Sequence, residues 1–249
     1  PFDHMTFHVR YAENVVNDFK TLQEKYNCNN FFFTDEALPI NFLRTFAAKI
    51  IEQKVDVQWT GELKFEKSLL KDDRMDLLYK SGCSKLIFGL ESYNQRVLDS
   101  MKKGVELSWV DETAERCIKL GIAMHFYLIC GFPTETREEV MDSINFVLNN
   151  QRLLDSPGFS AILSQFDLER GAPIENAPEE WGISKLYTPP EHDLSLGYSY
   201  ETSIGMNAEE TNELCQELIE KLGREVMTFP HNYSLSDGLL YLAYHQKNS

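Results

Sequence analysis

Short apolar runs of strand character return along this chain about every 30 residues, each followed by apolar residues at helical spacing. The strand-like runs are NFFFT (30–34), VDVQWT (55–60), KLIFGL (85–90), IAMHFYLIC (122–130) and FSAILSQFDL (159–168). Between them, helices are expected over 13–26, from Pro39 through Ile51, around 72–80 up to Gly82, and near 94–102 up to Gly104. Two more run from Ser108 to Gly121 and over 137–150. Ser108 with Asp111 and Thr136 with Glu139 carry the spacing of a capping box. Alternation of this kind specifies βα units around a parallel sheet.

The series opens on a helix with no strand before it, and only five strands are clear. A closed eight-stranded barrel needs eight strands in about 250 residues. An open or partial α/β barrel that lacks its first strand fits better. Residues 170–206 hold four of the nine prolines and show little periodicity, so a long loop or link is expected there. An amphipathic helix follows over 208–227, then a short helix over DGLLYLAYH (237–245). The expected division is a barrel core over 1–170 and a C-terminal loop and helical extension over 171–249.

The chain carries 39 acidic and 24 basic residues, a formal charge of −15, which argues against wide contact with nucleic acid. It has no apolar run of ~18 residues and no signal-peptide pattern, so a cytoplasmic protein with no membrane partner is expected. The five cysteines, Cys28, Cys83, Cys117, Cys130 and Cys215, form no CxxC and no compact ligand set. Reduced, buried thiols are expected rather than a disulfide scaffold or a zinc site. Of the histidines, His125 lies within a strand as a core residue, and the other five are scattered.

Polar residues gather where the strands end. Thr34, Asp35 and Glu36 follow the first run, Gly61 and Glu62 the second, Gly89, Glu91 and Ser92 the third, and Gly131, Phe132, Pro133, Thr134 and Glu135 the fourth. In parallel α/β folds ligands bind at this edge, where the strand-to-helix loops converge. Each element alone has a plain structural explanation. An acid before a helix favours the positive end of its dipole, and a strand glycine often serves packing. Four such groups at one sheet edge point to a ligand.

The segments FFFTDEALP, WTGELKF, SGCSKLIFGLESYNQRVLDSMKKG and GIAMHFYLICGFPTETREEV, in this order and spacing, resemble the radical S-adenosylmethionine (SAM) enzymes. They are most similar to the subgroup often fused to a cobalamin-binding domain. The resemblance covers roughly residues 9 to 170 and implies a partial (β/α)6 TIM-like barrel. It implies reductive cleavage of SAM to a 5′-deoxyadenosyl radical, with SAM, a 4Fe–4S cluster and, for this subgroup, cobalamin as cofactors. In that family the backbone from Ile129 to Gly131 meets the adenine, and Phe132, Pro133 and Glu135 shape the loop. Asp35 and Glu36 match the element that contacts the methionyl amine, Glu91 and Ser92 the positions that hold the ribose, and Glu62 points into the barrel. The family's substrates are small molecules or peptides, and an electron donor such as flavodoxin or ferredoxin is implied for the whole enzyme.

The Cys-x3-Cys-x2-Cys cluster loop of the family is absent from this sequence. Its ligands are expected upstream of Pro1, and the non-methionine start favours a truncated piece. Two alternatives stand beside this reading. One is a cluster-less, non-catalytic barrel that binds SAM or a partner. The other is a carboxylate- or metal-dependent (β/α) lyase or hydrolase using Asp35, Glu36 and Glu91. On the first reading, this polypeptide alone should give no reductive SAM cleavage in an anaerobic assay with dithionite, and turnover would contradict it.

Overall fold

The structure, a computed structural model, describes residues 8–188 and 196–226. Alternation of strand and helix builds α1 (Ala12–Tyr26), β1 (Asn30–Phe32), α2 (Ile40–Glu52), β2 (Gln58–Leu63), α3 (Arg74–Lys80) and β3 (Cys83–Glu91). It continues through α4 (Gln95–Ser100), α5 (Leu107–Leu120), β4 (Ala123–Cys130), α6 (Arg137–Leu148), the short α7 (Gln151–Leu154) and β5 (Ser160–Gln165). The five strands pair in chain order and all run parallel, forming a curled, partial TIM-like barrel with helices around it.

Alternation along each strand decides which side chains meet the helices. Trp59 and Leu63, then Leu86, Phe88 and Leu90, then Met124, Phe126 and Leu128, and finally Ala161 and Leu163 share one buried core with the helices. The helices answer at three- and four-residue spacing, as α2 does with Leu43, Phe46, Ala47 and Ile50. Aromatic rings lock the layers edge to face. Phe46 meets Trp59 at 5.7 Å and Phe33 at 5.3 Å, and Phe126 meets Phe159 at 5.4 Å. The indole N–H of Trp59 donates to the Ser81 carbonyl at 3.1 Å, so even this buried polar atom has a partner. The intervening strand residues, among them Thr60, Glu62, Lys85, Ile87, Gly89, His125, Tyr127, Ser160 and Ile162, line the opposite, concave face.

Two expectations are corrected. The helix after Gly104 starts at Leu107 with Glu106 as its flanking residue and no side-chain cap. Ser108 therefore sits within the first turn, and Asp111 accepts instead from the Tyr93 hydroxyl at 2.6 Å. The segment expected as loop holds β6 (Leu168–Glu169), β7 (Ile183–Tyr187) and β8 (Gly197–Thr202), an antiparallel sheet in the order β6–β8–β7. Prolines sit in its 3₁₀ turns, Pro173–Asn176 and Pro178–Trp181, not in its strands. A second small core, Val97, Phe132, Leu168, Ile174 and Ile183, joins this sheet to the barrel rim. The final helix, α8 (Ala208–Glu225), returns to the main core through Leu214, Cys215, Leu218 and Leu222. The helix expected over 237–245, and His4, His192, His231 and His245, lie outside the described residues.

Gly82 closes α3 with φ +89°, and a Cβ there would stand 1.9 Å from the Val57 carbonyl oxygen. Gly82→Ala should therefore cost more than about 2 kcal/mol, through both the left-handed backbone and the collision. Loss of the Thr136 cap in Thr136→Ala should cost about 1 kcal/mol. Urea unfolding of the two variants checks the order, and equal losses would contradict it.

Candidate functional site

The turn after β4 is built around one buried carboxylate. β4 runs out at Cys130, and Gly131 takes φ +84°, which reverses the chain. A Cβ at Gly131 would lie 2.1 Å from Thr211 Cγ2 of α8, so the close approach of that helix also requires glycine. The backbone N–H groups of Gly131 and Phe132 donate to Glu135 Oε2 at 2.7 and 3.2 Å. Glu135 is 1 % exposed, and its Oε1 has no partner among the described residues. Burial pushes its carboxyl up to about 7, although the two N–H donors pull the other way.

A second layer fixes the same turn from outside. Thr134 has φ +76°, uncommon for a residue with a β-branched side chain. Arg96, one residue into α4, donates to the Thr134 carbonyl and hydroxyl, both at 3.1 Å, and grips both oxygens of Glu139. Glu139 also accepts from the Thr136 N–H while the Thr136 hydroxyl accepts from the Glu139 N–H, completing the expected capping box. The guanidinium holds the Glu139 carboxyl below the usual carboxylate range. Phe132 is buried in the small core against Phe166 and Trp181, 5.2 and 5.9 Å between ring centres. Pro133 lines a cleft with Thr134, Lys102 and Trp181. The Gly131 carbonyl lies 3.5 Å from the Tyr200 hydroxyl of β8.

Across the sheet edge lie the acids. Thr34, Asp35 and Glu36 are exposed in the bend after β1. Glu62, on the concave face of β2, is pushed up by burial and by the charge of Glu36. Tyr127, on the same face of β4, is pushed up by burial and by Glu62. Glu36, Glu62 and Tyr127 therefore share one space over the strand ends, while Thr34 and Asp35 line a cleft with Asp18, Phe19 and Phe42. Glu91 ends β3 with φ +63° and pairs with Lys103 at 2.6 Å, folding back over Gly89. A Cβ at Gly89 would meet Glu91 Oε1 at 2.5 Å.

Ser92 stands apart from this group. It is fully buried, its hydroxyl lies 3.2 Å from that of Ser143 on α6, and it accepts from the Asn94 N–H. Ile129 is half-buried, on the concave side of β4. The structure thus brings Asp35, Glu36, Glu62, Glu91, Ile129 and the 131–135 turn to one edge, and sets Ser92 under α6. Sequence reasoning missed Arg96 and Lys103, which hold the turn and Glu91 in place. Their partners lie 12 to 43 residues away in the chain, so no local spacing marks them. Among the described residues no group of three or more His, Cys, Asp or Glu side chains could hold a metal.

A family model described as the radical SAM superfamily matches residues 3–147. An uncharacterised methyltransferase of Pyrococcus horikoshii is 27 % identical over 137 residues, 54 % of this chain and 29 % of that protein. The bacteriochlorophyllide d C-12(1)-methyltransferase of Chlorobaculum tepidum is 25 % identical over 160 residues, 63 % of this chain and 34 % of that protein. The chain thus spans about a third of the length of these curated relatives. Among solved structures, the cobalamin-dependent SAM radical enzyme OxsB superposes with a TM-score of 0.62 at 14 % identity, covering 98 % of this chain and 43 % of that one. The radical SAM methyltransferase TsrM of Kitasatospora setae, with cobalamin and a [4Fe–4S] cluster bound, gives 0.54 at 18 % identity over 73 % of this chain and 36 % of that one. At these identities the superpositions bear on the fold alone.

The buried acid has a measurable consequence. The folded chain keeps the Glu135 proton up to about pH 7, whereas the unfolded chain releases it near 4.5. Stability should then fall as pH rises between those values, by about 3 kcal/mol, and level off above. Glu135→Gln, isosteric with the protonated acid, should flatten that fall in chemical denaturation from about pH 5 to 8. A variant that tracks the wild type across the range would contradict a retained proton.

Proposed function

This chain belongs to the radical SAM superfamily, and on that premise we propose that it is the SAM-holding barrel of a radical SAM enzyme whose reaction is methyl transfer. The observation that carries the proposal is that Asp35, Glu36, Glu62, Glu91 and the 129–135 turn all lie at the carboxyl edge of the parallel sheet, with Glu36 and Glu62 close enough to bias each other. Methyl transfer is supported by the printed names of the relatives, which are methyltransferases.

The residues present suit SAM. Carboxylates of Asp35, Glu36 and Glu62 at the strand ends match an ammonium group, which they would hold by charge-assisted hydrogen bonds. Glu91, kept in place by Lys103, offers oxygens to ribose hydroxyls, with the buried Ser92 acting only as support beneath it. Ile129 and the backbone up to Gly131 would pack against the adenine. Phe132, Pro133 and Glu135 keep that backbone in shape, backed by Arg96 and Glu139. Bound beside a reduced 4Fe–4S cluster, SAM supplies a 5′-deoxyadenosyl radical or a methyl group. The thiols of this chain do not suit such a cluster. Cys83, Cys117, Cys130 and Cys215 are buried, Cys28 is half-buried, and no three of them form a ligand set. The part of this chain is therefore to bind and orient SAM and to exclude water. The cluster, cobalamin and an electron donor of the flavodoxin or ferredoxin class belong to the proposed whole enzyme.

A second reading is a barrel that binds SAM without redox chemistry, which a full reading frame lacking the thiolate triad would support. Anaerobic reconstitution of the full native reading frame separates the two. About four irons and four sulfides per chain are expected for the enzyme, and none for the binding protein. In equilibrium dialysis the chain should bind SAM, and Glu91→Ala should weaken it roughly tenfold. Glu112→Ala, on the outer helix α5, should leave it unchanged. No SAM binding by the full reading frame would overturn both readings.

A further inference from the structure

Where the small antiparallel sheet meets the barrel rim, a cavity of about 310 Å³ remains between them. Its walls include Phe132, Phe166, Trp181 and Met101, together with two acids, Asp167 and Glu169. A space of that size takes a small molecule. The walls are held firmly. The Phe166 N–H donates to the Cys130 carbonyl at 2.8 Å, which ties the chain leaving β5 to the end of β4. The Phe166 and Trp181 rings stand at 76° and 82° to the Phe132 ring. Aromatic rings of this kind attract a cation within about 6 Å of a ring centre. Trp181 already takes one in the neighbouring cleft, where Lys102 Nζ lies 4.7 Å from its ring centre.

The charge lining the cavity has one sign. Asp167 and Glu169 are exposed, and among the described residues neither has an ion-pair partner. The nearby cations serve other groups. Arg170 lies over the Tyr198 ring at 4.5 Å and donates to the Thr188 hydroxyl at 2.7 Å, and Lys185 pairs with Glu201. The field of Asp167 also reaches inward. Burial, and then the Asp167 charge, push the Tyr200 phenol up to about 12, and that phenol lies 3.5 Å from the Gly131 carbonyl. Two exposed acids alone would mean a solvated surface, and an apolar hollow alone would mean loose packing. Here both line one space. A neutral occupant would desolvate the carboxylates without return, and an anion would meet their charge. An ammonium on an apolar frame suits both parts of the lining.

We propose that this cavity is a subsite for a small organic ammonium ion, with its apolar frame against Phe132, Phe166 and Met101. Its charge lies between the Trp181 ring and the carboxylates of Asp167 and Glu169. The subsite rests on the proposed function in one respect: the ligand is the cationic end of the substrate presented beside the SAM-holding turn. Phe132 joins the two, since its N–H donates to Glu135 while its ring walls the cavity.

The probes are phenethylammonium and its anionic counterpart, 3-phenylpropionate. The full chain has three tryptophans, so 5-fluorotryptophan labelling resolves Trp181 by fluorine NMR, with Trp181→Phe as the assignment. Phenethylammonium should shift the Trp181 resonance saturably and leave that of Trp59, fully buried in the main core, unmoved. 3-Phenylpropionate should bind at least about tenfold more weakly. Asp167→Asn combined with Glu169→Gln should weaken phenethylammonium about tenfold and remove the preference. Both positions are exposed, so the fold tolerates the change. No saturable shift, equal affinity for the two probes, or wild-type affinity in the double variant overturns the subsite. Saturating SAM should leave the probe bound, and displacement would give the cavity to SAM and overturn a substrate subsite. SAM dialysis on the same samples keeps the two ideas apart. SAM binding without a Trp181 response sinks the subsite alone, and a Trp181 response without SAM binding sinks the proposed function alone.

Discussion

The in-order parallel pairing of β1 through β5 is the constraint on which the remainder of the molecule rests. Because every strand runs the same way, all five carboxyl ends open on one edge, and every loop that leaves them starts from the same plane. The register is fixed from the helix side. Trp59, Phe88, Phe126 and Leu163 can be buried against the helices only in one of the two alternating settings of each strand. A slip of one residue would turn those rings to the concave face and bury Glu62, Lys85 and His125 in their place. The polar lining of the barrel is thus a consequence of apolar packing on its other side.

Backbone strain and charge are concentrated at that edge. Glu91 and Thr134, both with positive φ, and Gly131 all sit where β3 and β4 leave the sheet. Each is held by contacts of higher sequence separation. Lys103 pairs with Glu91, Arg96 bridges Thr134 and Glu139, and Thr211 of α8 fills the space beside Gly131. The small antiparallel sheet adds the last support, since Phe166, Trp181 and Tyr200 close over Phe132 and the Gly131 carbonyl. Glu135 shows the energetic trade at this edge. Its carboxyl orders the turn through two N–H groups, while its second oxygen is buried with no partner among the described residues, and burial holds the proton to about neutral pH.

The capping boxes mark where local reading ends. Thr136 and Glu139 satisfy each other within one turn, so four residues of sequence were enough. Ser108 and Asp111 carry equivalent spacing, but Tyr93, 18 residues earlier, takes the Asp111 carboxylate and the helix begins at Leu107. The placement of Ser92 was also beyond local reading, because Ser143, 51 residues away, meets its hydroxyl from α6. The small sheet escaped notice because its strands are half-buried or exposed and do not alternate cleanly, with prolines in the turns before β7.

The sequence by itself determined the five βα repeats, the partial barrel, and the order of acids and glycines at the strand ends, since these follow from period and from residues close together in the chain. It also limited the thiols, whose wide spacing rules out a compact three-cysteine loop. Only the tertiary structure decided which of those strand-end residues share one space, how Arg96 and Lys103 hold them, and that Lys85, His125 and Ser160 meet on the barrel floor. The physical reason is range. Helical and strand periods are set by neighbours a few residues apart, whereas an ion pair or a donor chain across a curled sheet joins residues that the sequence keeps up to 75 positions apart.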